Sequence, residues 1–323
     1  LNPTNLLLVE KYRPSKIEDC VLSKDLTDIF NGIIQSGQDE FPNMIFCGPA
    51  GVGKTTVAKA LASELGMTSH LINASEENGI DTLRTTIKRF ASTKSLSGGK
   101  KLMILDEADH LSQAAQPALR GLIEQFSSNC RFILTCNYKN KIIDPLISRC
   151  PIVDFTIPNA EKQDIAGRIF TRICSILNEE GVAYEEDTVV QVVLKNFPDF
   201  RRMLGKIQQY TINDTLDPSV VSSSNSNESM FDDVFKIMGS KKFKELRLWV
   251  CDHSDMDLQV FFSDLDKYLW KMYADDKLPI TKQSLAYLIP IMAEHAYKSN
   301  FIADDQISMM AFLSTVMVEV EFV

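Results

Sequence analysis

The residues Gly48-Pro49-Ala50-Gly51-Val52-Gly53-Lys54-Thr55 satisfy the pattern GxxxxGK[ST] at every fixed position. Glycines at this spacing let backbone N–H groups curl round phosphate oxygens that a side chain would obstruct. A helix opening just after them turns its positive end toward the same anion. Lys54 is expected to reach the β- and γ-phosphates of a bound ATP, and the Thr55 hydroxyl to hold Mg2+. The alternative, a glycine-rich strand-to-helix turn without a ligand, leaves the lysine unexplained. Asp106, 51 residues after Thr55, ends the run Leu102-Met103-Ile104-Leu105 and begins Asp106-Glu107-Ala108-Asp109. An acid at the C-terminal end of a buried strand lies where open α/β sheets bind ligands. Asp106 would orient Mg2+ and Glu107 would polarise the attacking water. Taken alone, such an acidic cluster also serves as a helix cap or a solvated turn.

Three further residues are candidates for the same chemistry. Asn137 directly follows the apolar segment 131–136, where its amide could sit between Glu107 and the γ-phosphate. Arg149 follows twelve residues later in Ser148-Arg149-Cys150 and is a candidate finger for a neighbouring subunit's ATP. Such fingers neutralise charge that develops in the transition state. Arg201 opens a helix in Pro198-Asp199-Phe200-Arg201-Arg202 and could reach the γ-phosphate in cis. Taken alone, Arg149 is also a surface arginine, Asn137 an ordinary strand-end residue, and Arg202 competes with Arg201.

Positioning these residues requires strands that alternate with helices. The apolar run 43–47 precedes the glycine-rich loop, and helical spacing follows over 55–65. A strand at 70–73 and a helix at about 81–92 come next, with Leu83, Ile87 and Phe90 on one face. The strand 102–105, a helix at about 112–126, and strands at 131–136 and 152–155 complete an α/β unit with a parallel sheet covered on both faces. After Pro158 the strand signals stop, and 161–180, 187–196 and 200–212 read as three helices. The expected domains are 1–157 (α/β), 158–221 (a helical lid) and 230–323 (all helical), joined by a polar linker at 222–229. Pro279 and Pro290 mark boundaries or kinks among the last helices.

Composition limits the alternatives. The chain of 323 residues carries a net charge of −9. Residues 1–157 hold 17 basic and 17 acidic side chains, and 158–323 hold 17 and 26. This distribution permits a nucleic-acid-contacting face in the first part. The seven cysteines form no CxxC pair, so metal-ligand spacing is absent and a reducing cytosol is expected. The N-terminal run lacks a basic region of the signal-peptide type, and Ile307 to Val318 is too short to span a bilayer. The chain is therefore expected to be soluble and cytoplasmic.

Together, VEKYRP (9–14), GPAGVGKTT (48–56), LDEAD (105–109), TCN (135–137), SRC (148–150) and FPDFRR (197–202) resemble the AAA+ subunits of sliding-clamp loaders. KYRP and SRC are shared with the small subunits of replication factor C. NFPDFRR and the overall length resemble the large subunit of the T4-type phage clamp loader, which implies the cytoplasm of a host bacterium if the chain is phage-encoded. The resemblance is specific through about residue 206 and only architectural beyond the linker, where the family has a helical collar that assembles the ring. It implies an AAA+ P-loop NTPase that uses ATP and Mg2+ to open a ring-shaped sliding clamp and place it on primer–template DNA. The implied partners are other copies of the subunit in a ring or spiral, a distinct accessory subunit, the clamp and the DNA backbone, with no membrane.

By matching position, Val9, Glu10, Lys11, Tyr12 and Val21 would lie beside the adenine. Gly51, Val52, Gly53, Lys54, Thr55 and Thr56 would hold the phosphates. Asn137 would be sensor 1, Arg201 sensor 2 and Arg149 the trans finger. The DNA-gripping helix starts match 79–84 and 112–116, with Arg84 and Ser112 as contact candidates, though either could equally be a solvated residue. The helix through Leu83 and Phe90 matches the clamp-contacting surface, although at least two of its apolar residues are expected in the core. Two other readings are another AAA+ motor, such as a branch-migration helicase, and a non-hydrolysing structural subunit of the same ring.

Overall fold

The computed structural model describes residues 7–76, 79–93, 99–112, 114–212, 214–217, 226–253, 256, 258–299, 302 and 304–323. Two compact units divide the chain, the first ending at Pro218 and the second beginning at Ser219.

In the first unit, a short helix α1 (Leu8–Lys11) and α2 (Lys24–Ser36) precede β1 (Met44–Cys47). Then α3 (Lys54–Glu64), β2 (Ser69–Asn73), α4 (Ile80–Ser92), β3 (Lys101–Asp106), α5 (Ala115–Gln125), β4 (Cys130–Cys136), α6 (Asp144–Ile147) and β5 (Ile152–Asp154) follow in turn. The five strands form one parallel sheet in the order β2-β3-β4-β1-β5. Both faces are covered, so apolar residues run consecutively along each central strand. In β3, Leu102 and Ile104 join Phe46, Leu61 and Phe30 on one face, whereas Met103 and Leu105 join Leu83, Ile87 and Leu119 on the other. Phe30, Phe46 and Phe155 form a ring cluster with centroids 5.0 to 6.0 Å apart. Leu83 and Ile87 are thus core, and Phe90 packs partly buried against it.

The strand order explains why distant segments of sequence meet. β4 lies between β1 and β3, so the loop after β1, the acids ending β3 and the residues after β4 emerge side by side.

Three lid helices follow: α7 (Lys162–Glu180), α8 (Glu186–Asn196) and α9 (Phe200–Tyr210). The last is shorter than expected. Thr211 and Ile212 leave the helix as β6, which pairs antiparallel with β7 (Thr215–Leu216) around a turn in which Asp214 takes φ 58°. β-branched residues and an aspartate in the left-handed region favour this hairpin over another helical turn.

The second unit consists of α10 (Ser226–Gly239), α11 (Phe243–Asp252), α12 (Leu258–Ala274), α13 (Lys282–Ser299) and α14 (Asp305–Glu319). Phe231, Phe235, Phe261, Phe262, Phe312 and Leu313 belong to its core. Of the expected linker, 222–225 lie outside the described residues, and 226–229 are helical instead, as the start of α10. Burial of Met230, Phe231, Val234 and Phe235 at helical spacing favours a helix there. Pro290 lies inside α13 and does not end it. Among the described residues, no helix is long and apolar enough to cross a membrane.

Candidate active site

The four residues of β1 are buried, and the chain leaves them through the glycine-rich loop. Gly51 has φ +73°, and a Cβ there would lie 1.8 Å from Asp199 Oδ1 of the lid, so both conformation and space exclude a side chain. Gly53, in the left-handed region, caps α3, and its carbonyl accepts from Val57 N–H at 2.8 Å. The start of α3 therefore faces the loop with its backbone N–H groups.

Lys54 is only 8% exposed. Its ammonium donates to Gly48 O (2.8 Å), Pro49 O (2.7 Å) and Asn137 Oδ1 (2.9 Å). Burial pulls its pKa below the ordinary lysine value, and nearby groups including Asp106 and Asp109 oppose that shift. A buried cation held only by neutral acceptors is well suited to an incoming polyanion.

Across β4, the Thr55 hydroxyl donates to Asp106 Oδ1 at 2.6 Å, and the Thr135 hydroxyl donates to the same oxygen at 2.5 Å. The two residues expected to share Mg2+ are therefore in contact. Among the described residues no cluster of three or more His, Cys, Asp or Glu side chains could hold a metal by itself. One hydroxyl and one carboxylate suit Mg2+, which takes few protein ligands and completes its shell with water and phosphate oxygens.

Glu107 adopts φ 55°, ψ 43°. A left-handed conformation in a residue other than glycine costs roughly 1–2 kcal/mol. Hydrogen bonds hold it there: its N–H donates to Thr135 Oγ1 (3.1 Å) and its carbonyl accepts from His110 N–H (2.9 Å). Asp109 is buried, and its Oδ2 accepts the backbone N–H of Asn137 at 3.3 Å, while Oδ1 has no partner among the described residues. Neither Thr135 nor Asp109 carries a role in the sequence motifs. The available signals were a hydroxyl inside an otherwise apolar strand and the last acid of LDEAD.

A cavity of about 190 Å³ opens on this cluster. Its lining includes Gly51 to Thr56, Asp106, Glu107 and Asn137 from the sheet side, and Arg172 and Arg201 from the lid. Arg172 is a lid cation that no motif pointed to. Arg202 is not part of the lining, and its backbone N–H bonds the Asp199 side chain, which caps α9. Phe200 N–H donates to Gly51 O at 3.2 Å, tying the start of α9 to the phosphate loop.

Of the residues expected beside adenine, Val9, Tyr12 and Val21 line the cavity. Glu10 and Lys11 do not. Glu10 pairs with Arg13, and Lys11 with Glu180 at the end of α7, because opposite charges on these exposed faces draw both side chains away. Tyr12 also donates to Glu180, at 2.7 Å. Burial, followed by that carboxylate, pushes the Tyr12 phenol up to about 12. Lys11 and then Tyr12 hold the Glu180 carboxyl below the usual range. Leu8 N–H donates to Gln208 of α9 at 3.0 Å, so the N-terminal segment is fastened to the lid at two points.

Arg149 lies outside the cavity lining. Its Nε pairs with Glu124 of α5, and Nη1 donates to Pro145 O (3.0 Å) and Ser148 Oγ (3.1 Å). Arg84 and Ser112 are exposed at the starts of α4 and α5, whereas Gln116 is buried and bonds Lys141 O and Ile143 N. The seven cysteines are free thiols, and burial pushes Cys20, Cys130, Cys136 and Cys150 up to about 12, which keeps them protonated and inert.

A parallel sheet that presents a GxxxxGKT loop beside an acid pair and a strand-end asparagine defines a nucleotide-binding ATPase of the AAA class. Residues 44–156 match the model of the ATPase family associated with various cellular activities. Residues 161–222 match that of the sliding-clamp-loader large subunit, AAA+ ATPase lid domain. The sliding-clamp-loader large subunit of Enterobacteria phage T4 is 32% identical over 299 residues, covering 91% of this chain and 90% of that protein. Its counterpart from Escherichia phage RB69 is 36% identical, covering 76% and 78%. The replication factor C small subunit of Methanocella arvoryzae is 38% identical, covering 74% of each. The chain belongs to this clamp-loader family of ATPases. Among solved structures, the Thermotoga maritima RuvB Holliday junction branch migration motor aligns with a TM-score of 0.51 at 16% identity, covering 70% of this chain and 79% of that one, a likeness of fold alone.

Proposed function

We propose that the chain is the repeating motor subunit of a clamp loader, one that binds ATP in cis and lends Arg149 to the ATP of its neighbour. The observation that carries this reading is the separation of two sets of residues. Lys54, Thr55, Asp106, Glu107 and Asn137 converge on one cavity, whereas the arginine of Ser148-Arg149-Cys150 lies outside it on a surface ion pair.

Lys54 exchanges its carbonyl partners for the β- and γ-phosphates, with Gly51 to Thr56 enclosing them. Thr55 and Asp106 would hold Mg2+, which supplies charge neutralisation on the phosphate oxygens. Glu107 accepts the proton of the attacking water, and Asn137, already bonded to Lys54, orients that water against the γ-phosphate. Arg201 contacts the γ-phosphate from the lid. Val9, Tyr12 and Val21 face the adenine.

ATP binding and hydrolysis in a ring of such subunits, with an accessory subunit, serve to open a sliding clamp and place it on primer–template DNA. Residues 230–323 serve as the collar that closes the ring. Arg84 and Ser112 contact DNA phosphates, which makes binding indifferent to sequence and steeply dependent on salt. The test is ATP hydrolysis by the assembled complex with and without primed DNA and the cognate clamp. Strong stimulation by both together is expected. Turnover that ignores both, or strand separation driven by the chain, would overturn the reading.

A further inference from the structure

The cluster at the ends of β3 and β4 contains a side chain that the proposed chemistry does not use. Thr135 is 2% exposed and lies one position beyond the Leu105–Leu134 register pair, directly across from the acid turn. Its hydroxyl has a single proton, which it gives to Asp106 Oδ1 at 2.5 Å. A lone pair of the same oxygen accepts the Glu107 backbone N–H at 3.1 Å. One buried hydroxyl therefore touches the carboxylate expected to sit on the metal side and the backbone of the residue expected to activate water.

The backbone it touches is strained. Glu107 sits at φ 55°, ψ 43°, a conformation that a non-glycine residue keeps only where its surroundings over-determine it. Without an acceptor at Oγ1, this N–H would be left unpaired beside a buried strand end, which favours relaxation of the turn. The Glu107 side chain would then leave its present direction. The contact to Asp106 points the same way, because Asp106 Oδ1 also accepts the Thr55 hydroxyl. Thr135 thus fixes the metal-side carboxylate and the water-side glutamate relative to each other.

We propose that Thr135 is a positioning residue for ATP hydrolysis, acting through the Glu107 turn and not through nucleotide binding. The inference rests on the reading of Glu107 as the water-activating carboxylate. A second bond between the same two segments, Asp109 Oδ2 to Asn137 N–H at 3.3 Å, keeps β4 against the turn when the hydroxyl is removed. Loss of Thr135 Oγ1 should therefore misplace Glu107 without unfolding the site.

Thr135→Val keeps the shape of the side chain and removes the hydroxyl, and Thr135→Ser keeps the hydroxyl and removes the methyl. In the assembled complex with primed DNA and clamp, single-turnover hydrolysis by Thr135→Val should fall about 100-fold, the cost of an ångström-scale misplacement. ATP affinity, measured with a fluorescent analogue, should change by less than about 3-fold, because Lys54 and the glycine-rich loop are untouched and Asp106 keeps its bond from the Thr55 hydroxyl. Thr135→Ser should retain most of the parental rate. A packing role predicts the opposite order, with Val active and Ser impaired. Combining Thr135→Val with Glu107→Gln should add no further loss to that of Glu107→Gln alone, since both act on one group.

Parental hydrolysis by Thr135→Val, or a loss of ATP affinity in proportion to the loss of rate, would overturn the proposal. So would additive losses in the double variant. If Glu107→Gln hydrolyses ATP at the parental rate, the reading of Glu107 fails, whatever the Thr135 variants do. If Glu107→Gln is inactive and Thr135→Val is normal, the inference about Thr135 fails alone.

Discussion

The nucleotide end of the sheet and the corner that carries Arg149 use similar residue types in opposite ways. At the first, Lys54 bonds Asn137, and Thr55 and Thr135 both bond Asp106, at 2.5 to 2.9 Å around the ends of three adjacent strands. At the second, the Arg149 guanidinium lies partly exposed against Glu124, with Arg120 also within 3.5 Å of that carboxylate. Lys54 and Thr135 are buried and their hydrogen bonds are made within the fold, so the first arrangement is fixed by one chain. An exposed ion pair contributes little to stability and is readily exchanged for a stronger anion. The difference is the one that the proposed division between a cis site and a trans arginine requires.

The largest effect that bears on this contrast is expected at the corner. Arg149→Ala should lower DNA- and clamp-stimulated hydrolysis by about 10³–10⁵-fold while leaving the ATP affinity of an isolated subunit unchanged. A parallel loss of affinity would place Arg149 in its own site and erase the distinction. Glu107→Gln should lower turnover by about 10²–10⁴-fold, the usual contribution of a general base, while ATP and DNA still bind. Lys54→Ala should weaken ATP binding itself, by on the order of 100-fold, through loss of charge-assisted contacts to phosphate. Equal loss of nucleotide binding in Glu107→Gln and Lys54→Ala would contradict the division of roles within the cis site.

The smallest effect concerns the fastening of the N-terminal segment to the lid. Glu180 is held ionised by Lys11 and Tyr12, so its folded pKa lies below the ordinary value of 4.5. Its contribution is present above pH 4.5 and is lost as the pH falls through the lower folded value. The difference in thermal midpoint between the parent and Glu180→Gln should therefore be present at neutral pH and close in acid. A difference that persists unchanged at low pH would show that packing, not charge, holds the segment.

The cis site was legible in the sequence because its chemistry depends on fixed local spacing. The loop 48–55 and the strand-ending acid at Asp106 announce themselves by residue type and position. The α/β order was legible for the same reason, since strands buried on both faces read as unbroken apolar runs. What escaped depends on register between strands. Nothing in the spacing of Thr135 says that β4 lies beside β3 with its hydroxyl across from Asp106 and the Glu107 N–H. The positive φ of Glu107 is likewise invisible without the strand ends that impose it. The diversion of Glu10 and Lys11 from the cavity depends on Arg13 and Glu180, one a near neighbour and the other far along the chain. Helix α2 is a different case, because Leu26, Phe30 and Ile33 have plain helical spacing and were open to reading.

On the proposed division of roles, a working ATP site takes its phosphate-binding lysine from one subunit and its arginine from the next. The most direct measurement is single-turnover hydrolysis by complexes reconstituted from Lys54→Ala subunits, Arg149→Ala subunits, and an equal mixture of the two. In the mixture some interfaces pair an intact Arg149 with an intact Lys54 site. Hydrolysis in the mixture should be well above that of either variant alone. Activity no higher than that of the separate variants, with mixed assembly verified, would contradict that division.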